Sequence, residues 1–116
     1  MELIIGGCAQ NKIEYARSLA PDAEIINDLH LVIKEKLAAG MNSDQILQEI
    51  ITRMTIAEEG RKNLIIISDE IGGGIVPLDA FEREWRETTG RILCRLASQA
   101  EKVTRIVLGL PQVIKG

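Results

Sequence analysis

The stretch Asn63-Leu64-Ile65-Ile66-Ile67-Ser68, continued by Asp69-Glu70-Ile71-Gly72-Gly73-Gly74-Ile75-Val76-Pro77 and a long segment reaching Leu96, decides the fold. An unbroken Leu/Ile run closed by acidic residues reads as a strand buried on both faces, with carboxylates at its C-terminal edge. In open α/β sheets that edge is where ligands bind. Three consecutive glycines allow backbone angles closed to other residues and a close approach to a partner. The helix that follows starts at Asp79, with Glu82 at a capping-box spacing. Phe81, Trp85, Thr88 or Thr89, Ile92, Leu96 and Ala100 recur every three or four residues and form its apolar face.

Toward the N-terminus, residues 2–5 form a short apolar strand and 6–12 the loop after it. Residues 13–20 read as a helix stopped by Pro21, and 24–27 as a second short strand. Asp28 then caps a helix with Leu29, Val32, Ile33 and Leu37 on one face, closing at Gly40. Asn42 or Ser43 opens the next, with Ile46, Leu47, Ile50, Ile51 and Met54 inward and Gly60 at its end. Beyond the organising helix, residues 103–108 are another strand, and the tail around Pro111 has room for an edge strand. Strands alternating with helices predict βαβ units, a mainly parallel sheet and helices on both faces. The expected organisation is a single three-layer α/β domain over residues 1–116.

Composition narrows the function classes. A net charge of −3, a pI near 5.2 and no basic run argue against nucleic-acid and membrane-surface partners. An aromatic content of 3% leaves little for base stacking. No apolar run approaches the roughly 18 residues of a membrane span, and Met1-Glu2 leads straight into a strand, so no signal peptide is expected. Cys8 and Cys94 have no metal-ligand spacing and read as reduced thiols, which points to the cytoplasm and to no metal site.

Three motifs carry a family resemblance: Asp69-Glu70-Ile71-Gly72-x-Gly74-Ile75-Val76-Pro77, Gly90-Arg91-x-x-x-Arg95-Leu96-Ala97, and Gly109-Leu110-Pro111. Together they resemble the C-terminal half of the bifunctional adenosylcobinamide kinase/adenosylcobinamide-phosphate guanylyltransferase family of cobalamin biosynthesis. The match runs from Ile65 to Lys115 without gaps. The resemblance implies a P-loop-NTPase-like fold with about four to five strands, a corrinoid or nucleotide ligand, and a homo-oligomer. It implies ATP or GTP as the cofactor, here with weak or no Mg²⁺ dependence because of the departures described next.

A P-loop belongs between the first strand and the first helix. It needs backbone N–H groups at a helix N-terminus, a lysine for the β/γ-phosphates and a Ser/Thr hydroxyl for Mg²⁺. The family's Gly-Gly-x-x-Ser-Gly-Lys-Ser is matched here by Gly6-Gly7-Cys8-Ala9-Gln10-Asn11-Lys12-Ile13. Gly6 to Lys12 are therefore the candidate nucleotide-binding residues. Asn11 replaces a glycine but tolerates the left-handed conformation. Ile13 replaces the hydroxyl, and nothing in its side chain substitutes for it. Cys8, beside a helix N-terminus, is read as a packing residue, because Lys12 is its only basic neighbour.

In the family, a segment before the second core strand carries the histidine that becomes guanylylated. Here Pro21-Asp22-Ala23 leads directly into Glu24-Ile25-Ile26-Asn27-Asp28-Leu29-His30. The resemblance aligns Asn27 with the Walker B-like acid, puts Asp28 one position late, and sets His30 on a threonine position. Asn27, Asp69, Glu70, Gly72 and Gly74 form the candidate sheet-edge site, and His30 and Asp28 are the remaining candidates for catalysis. Glu70 either positions a metal, nucleotide or corrinoid, or caps the glycine loop. Arg91 and Arg95 meet phosphate or pair with acids such as Glu87, and apolar Leu93 and Cys94 in place of polar family residues suit a buried surface. Three functions follow: a family member with residual nucleotide or corrinoid binding and weak or lost transfer, a non-catalytic interaction or regulatory protein keeping the scaffold for assembly, or a remodelled enzyme using Asp28, His30 and Asp69.

Overall fold

The computed structural model describes residues 1–8, 10–71 and 79–116. In chain order they form β1 (Glu2–Gly6), α1 (Lys12–Leu19), β2 (Glu24–Ile26), α2 (Leu29–Ala38), α3 (Ser43–Glu59), β3 (Leu64–Asp69), α4 (Ala80–Gln99), β4 (Lys102–Val107) and β5 (Leu110–Lys115). One sheet has the order β2-β3-β1-β4-β5. The first four strands are parallel, and β5 returns antiparallel to β4 at the edge. The expected three-layer α/β arrangement, with a mainly parallel sheet and helices on both faces, is the observed one. The tail forms the edge strand for which the sequence left room.

The route of the chain explains the layers. From β1 the chain crosses to the far edge through α1, then returns through α2–α3 to β3 and through α4 to β4. Right-handed crossovers put opposite directions of travel on opposite faces. Accordingly α1 is, among the described residues, the one helix on one face, where Ile13 and Ala16 pack with Ile4, Ile65, Ile67 and Ile106. Residues Leu29 and Ile33 of α2, Ile46 and Ile50 of α3, and Ile92 and Leu96 of α4 cover Leu3, Leu64, Ile66 and Val103 on the other. The Leu/Ile run of β3 is buried throughout because it serves both cores. Each fully buried Ile contributes about 1.5–3 kcal/mol relative to leaving it exposed.

The N-caps follow the sequence at α3 and α4 but not at α2, and Glu82, set at a capping-box spacing, pairs instead with Lys34. Asn42 and Gln45 form a reciprocal capping box at α3, and Asp79 accepts from the N–H groups of Phe81 and Glu82 at α4. Asp28, expected to cap α2, makes no side-chain cap bond and sits in the left-handed region at φ 54°. Its carboxylate instead faces His30 and Asp69. Both cysteines are exposed, which corrects the packing assigned to Cys8 and the buried surface inferred at Cys94.

Candidate functional site

Neighbouring strands whose connections leave on opposite faces open a crevice at their C-terminal ends. In this sheet those strands are β1, followed by α1, and β3, followed by α4. Their register is level, with Gly6 opposite Asp69, and Gly6 also opposes Ile106 on the other side. A Cβ at Gly6 would sit 2.7 Å from the Ile106 carbonyl oxygen, so only glycine lets the strands close here. The Glu70 N–H donates to the Gly6 carbonyl at 2.8 Å and extends the contact one residue further.

Lys12, the first residue of α1, points into this crevice and is buried. Its Nζ lies 2.8 Å from Asp69 Oδ1 and donates to the Gly7 carbonyl at 2.6 Å. Asn11 precedes it at φ 57°, the left-handed conformation anticipated for that position. His30 holds Asp69 from the other side. Its Nδ1 accepts the Asp69 backbone N–H at 3.1 Å, and its Nε2 lies 3.4 Å from Asp69 Oδ2. His30 is in turn fixed by Trp85, whose Nε1 donates to the His30 carbonyl at 2.7 Å and whose ring stacks on the imidazole. Lys34 lies over the same indole at 4.4 Å. The result is a partly buried chain of contacts, Lys12–Asp69–His30–Trp85, joining the loop after β1 to α2 and α4.

The Mg²⁺ that the family implies does not fit these residues. Ile13 turns its side chain into the core beneath α1, so the position after the lysine offers no oxygen. Asp28, His30 and Asp69 do offer ligand atoms within 4.8 Å of one another. However, Asp69 is already neutralised by Lys12, and Nδ1 of His30 is acting as an acceptor. By that pattern the imidazole proton sits on Nε2, facing Asp69, and that nitrogen has no lone pair for a metal.

The structure brings together Gly6, Gly7, Lys12, Asp69, His30 and Asp28. Gln10 also reaches the area, accepting the Gly109 N–H at 2.8 Å through its side chain and tying the loop to the β4–β5 turn. Asn27 stands apart. The resemblance aligned it with the Walker B-like acid, but β2 is separated from β1 by β3. The carboxylate facing the lysine therefore comes from Asp69 on β3. The glycine loop that Glu70 was expected to cap lies outside the described residues. Both Glu70 oxygens pair with Arg105, at 2.7 and 3.1 Å. Ala9, Gly72 and Gly74, part of the expected site, lie outside the described residues. Arg105 was missed from the sequence, although a lone cation within the apolar run Val103-Thr104-Arg105-Ile106-Val107 was the available signal. Arg91 pairs with Glu87 at 3.8 Å, the surface ion pair that the sequence allowed.

Residues 8–114 match the family model of the cobinamide kinase/cobinamide phosphate guanyltransferases. The chain belongs to this family. Among curated relatives of this cobinamide kinase/guanyltransferase family member, the bifunctional adenosylcobalamin biosynthesis protein CobP of Pseudomonas aeruginosa is 38% identical over 53 residues, covering 46% of this chain and 31% of that protein. The corresponding CobU protein of Salmonella typhimurium is 36% identical over 52 residues, covering 45% of this chain and 29% of that protein. The chain thus aligns with under a third of either relative. Among the described residues no helix is long and apolar enough to cross a membrane.

Proposed function

We propose that this chain is a cobinamide kinase/guanylyltransferase-like protein, a single P-loop-like domain working in the cytoplasm, that binds a nucleotide or corrinoid phosphate in the β1–β3 crevice with weak or lost transfer chemistry. One observation carries this reading. The lysine at the mouth of the crevice is retained, yet its ammonium is held by Asp69 and the Gly7 carbonyl, and the residue after it is a core isoleucine. A phosphate group entering the loop takes over part of the Lys12 interaction now made by Asp69. Gly6, Gly7, Cys8, Gln10 and Asn11 supply the surrounding backbone, and Asp69 and Glu70 supply the opposite edge. Binding is net favourable only where the phosphate's hydrogen bonds exceed those it displaces, so affinity is low and depends little on Mg²⁺. Phosphoryl transfer relies on positioned metal and charge, and the missing hydroxyl removes one of those anchors.

Thermal unfolding with ATP, GTP and cobinamide tests the proposal. A ligand at a hundred times its Kd adds about 2.7 kcal/mol of stability. The wild type is expected to shift and Lys12→Ala to shift far less. Brisk cobinamide phosphorylation by the wild type would refute the loss of transfer, and equal shifts in both proteins would move the ligand out of the crevice.

A second reading, an interaction or regulatory protein assembling as a homo-oligomer, is favoured by the β4–β5 hairpin. Leu108, Leu110, Val113 and Ile114 all project into solvent there, Leu108 with 85% of its surface exposed. Sedimentation equilibrium separates the readings: a concentration-independent monomer rules out assembly through this hairpin.

A further inference from the structure

Gly90 lies in the interior of α4, where glycine lowers helix stability relative to alanine. Its place in the fold gives no reason for it. The backbone there is helical, and a Cβ built on Gly90 would meet nothing within 4 Å. Gly6 shows the contrast, since an added Cβ would strike a neighbouring strand. The open position at Gly90 leaves the helix backbone accessible from outside the chain.

It faces a groove of about 730 Å³ between α3 and α4, walled by Ser43, Asp44 and Leu47 on one side and by Gly90, Arg91 and Arg95 on the other. That volume lies within the range typical of small-molecule sites. The two arginines are one helical turn apart and exposed. Arg91 has a loose pairing at 3.8 Å with Glu87, and among the described residues no carboxylate pairs with Arg95. Guanidinium forks suit phosphate, sulfonate and carboxylate groups, which they grip through two parallel hydrogen bonds. Leu47 and the bare helix backbone at Gly90 offer an apolar surface next to those forks.

We propose that this groove is a second ligand site, independent of the crevice, for a small organic anion. The anionic group sits on Arg91 and Arg95, and the apolar body lies against Leu47 and the α4 backbone at Gly90. The missing Cβ is what lets that body reach the helix.

The probe is 8-anilinonaphthalene-1-sulfonate, a sulfonate on a planar apolar frame, followed by fluorescence and by amide chemical shifts of the full chain. Saturable binding is expected, with the largest shifts between Arg86 and Arg95. Arg91→Gln/Arg95→Gln should weaken it at least tenfold, and Lys12→Ala should leave it unchanged. Gly90→Ala should raise the melting temperature by a few degrees yet weaken the probe severalfold, a split that a purely structural glycine would not give. Absence of saturable binding at millimolar probe overturns the proposal. So does binding indifferent to both the Gly90 and the arginine variants, or lost only with Lys12→Ala. A dimer that Gly90→Ala dissolves would also overturn it, by giving the groove to a second copy of the chain.

Discussion

Replacing Asp69 by Asn isolates the contact on which the crevice depends. The change keeps the shape of the side chain but leaves the Lys12 ammonium facing a neutral amide and the Gly7 carbonyl. The Lys12 side chain is 7% exposed and that of Asp69 is 19%, so water compensates little. Breaking a buried ion pair from one side costs about 3–5 kcal/mol, and the partial exposure of Asp69 favours the lower end, roughly 3 kcal/mol. At about 4 °C per kcal/mol for a domain of this size, the melting temperature should fall by roughly 12 °C. The companion double variant Lys12→Met/Asp69→Asn removes the stranded charge and should recover at least about 2 kcal/mol, a coupling energy within the range for groups in direct contact. Urea unfolding monitored through Trp85 measures all the free energies. If Asp69→Asn cost under about 1 kcal/mol, or if the two single losses simply added, the pair would not be what organises the crevice.

Other expectations follow from single contacts. Gly6→Ala forces a Cβ to within 2.7 Å of the Ile106 carbonyl and should cost about 1–3 kcal/mol by overpacking, read by thermal unfolding. Asn42→Ala removes the side-chain half of the α3 capping box and should cost about 1 kcal/mol in the same assay. Thr104→Val should be neutral or stabilising by up to about 1 kcal/mol, because the buried Thr104 hydroxyl has no hydrogen-bond partner among the described residues. Trp85→Phe deprives the His30 carbonyl of its donor and should lower stability by about 1 kcal/mol, with the His30 ring resonances reporting the loosened contact.

The sequence carried most of the architecture because its periodicities were strong and local. The run from Leu64 to Ile67 is apolar at every position, so its burial on both faces needed no knowledge of its neighbours. The Asn42 and Asp79 caps were equally legible, because they depend on residues within one turn. What could not be read was the order of strands. Asn27 follows β2 and Asp69 ends β3, and only the placement of β3 beside β1 decides which side chain meets Lys12. Asp28 misled for a related reason: a residue suited to capping was drawn into a tertiary cluster with His30 and Asp69. The bidentate Glu70–Arg105 contact joins residues 35 positions apart, beyond the reach of any local pattern.

On the proposed reading the crevice keeps a lysine able to meet phosphate, while the residue after it, Ile13, offers no oxygen to a metal. Calorimetric titration of ATP and GTP in excess MgCl₂ and again in EDTA tests it most directly. The account predicts weak binding whose Kd agrees within about threefold between the two conditions, a difference of roughly 0.6 kcal/mol. Tightening by more than about tenfold with Mg²⁺, or about 1.4 kcal/mol, would contradict it.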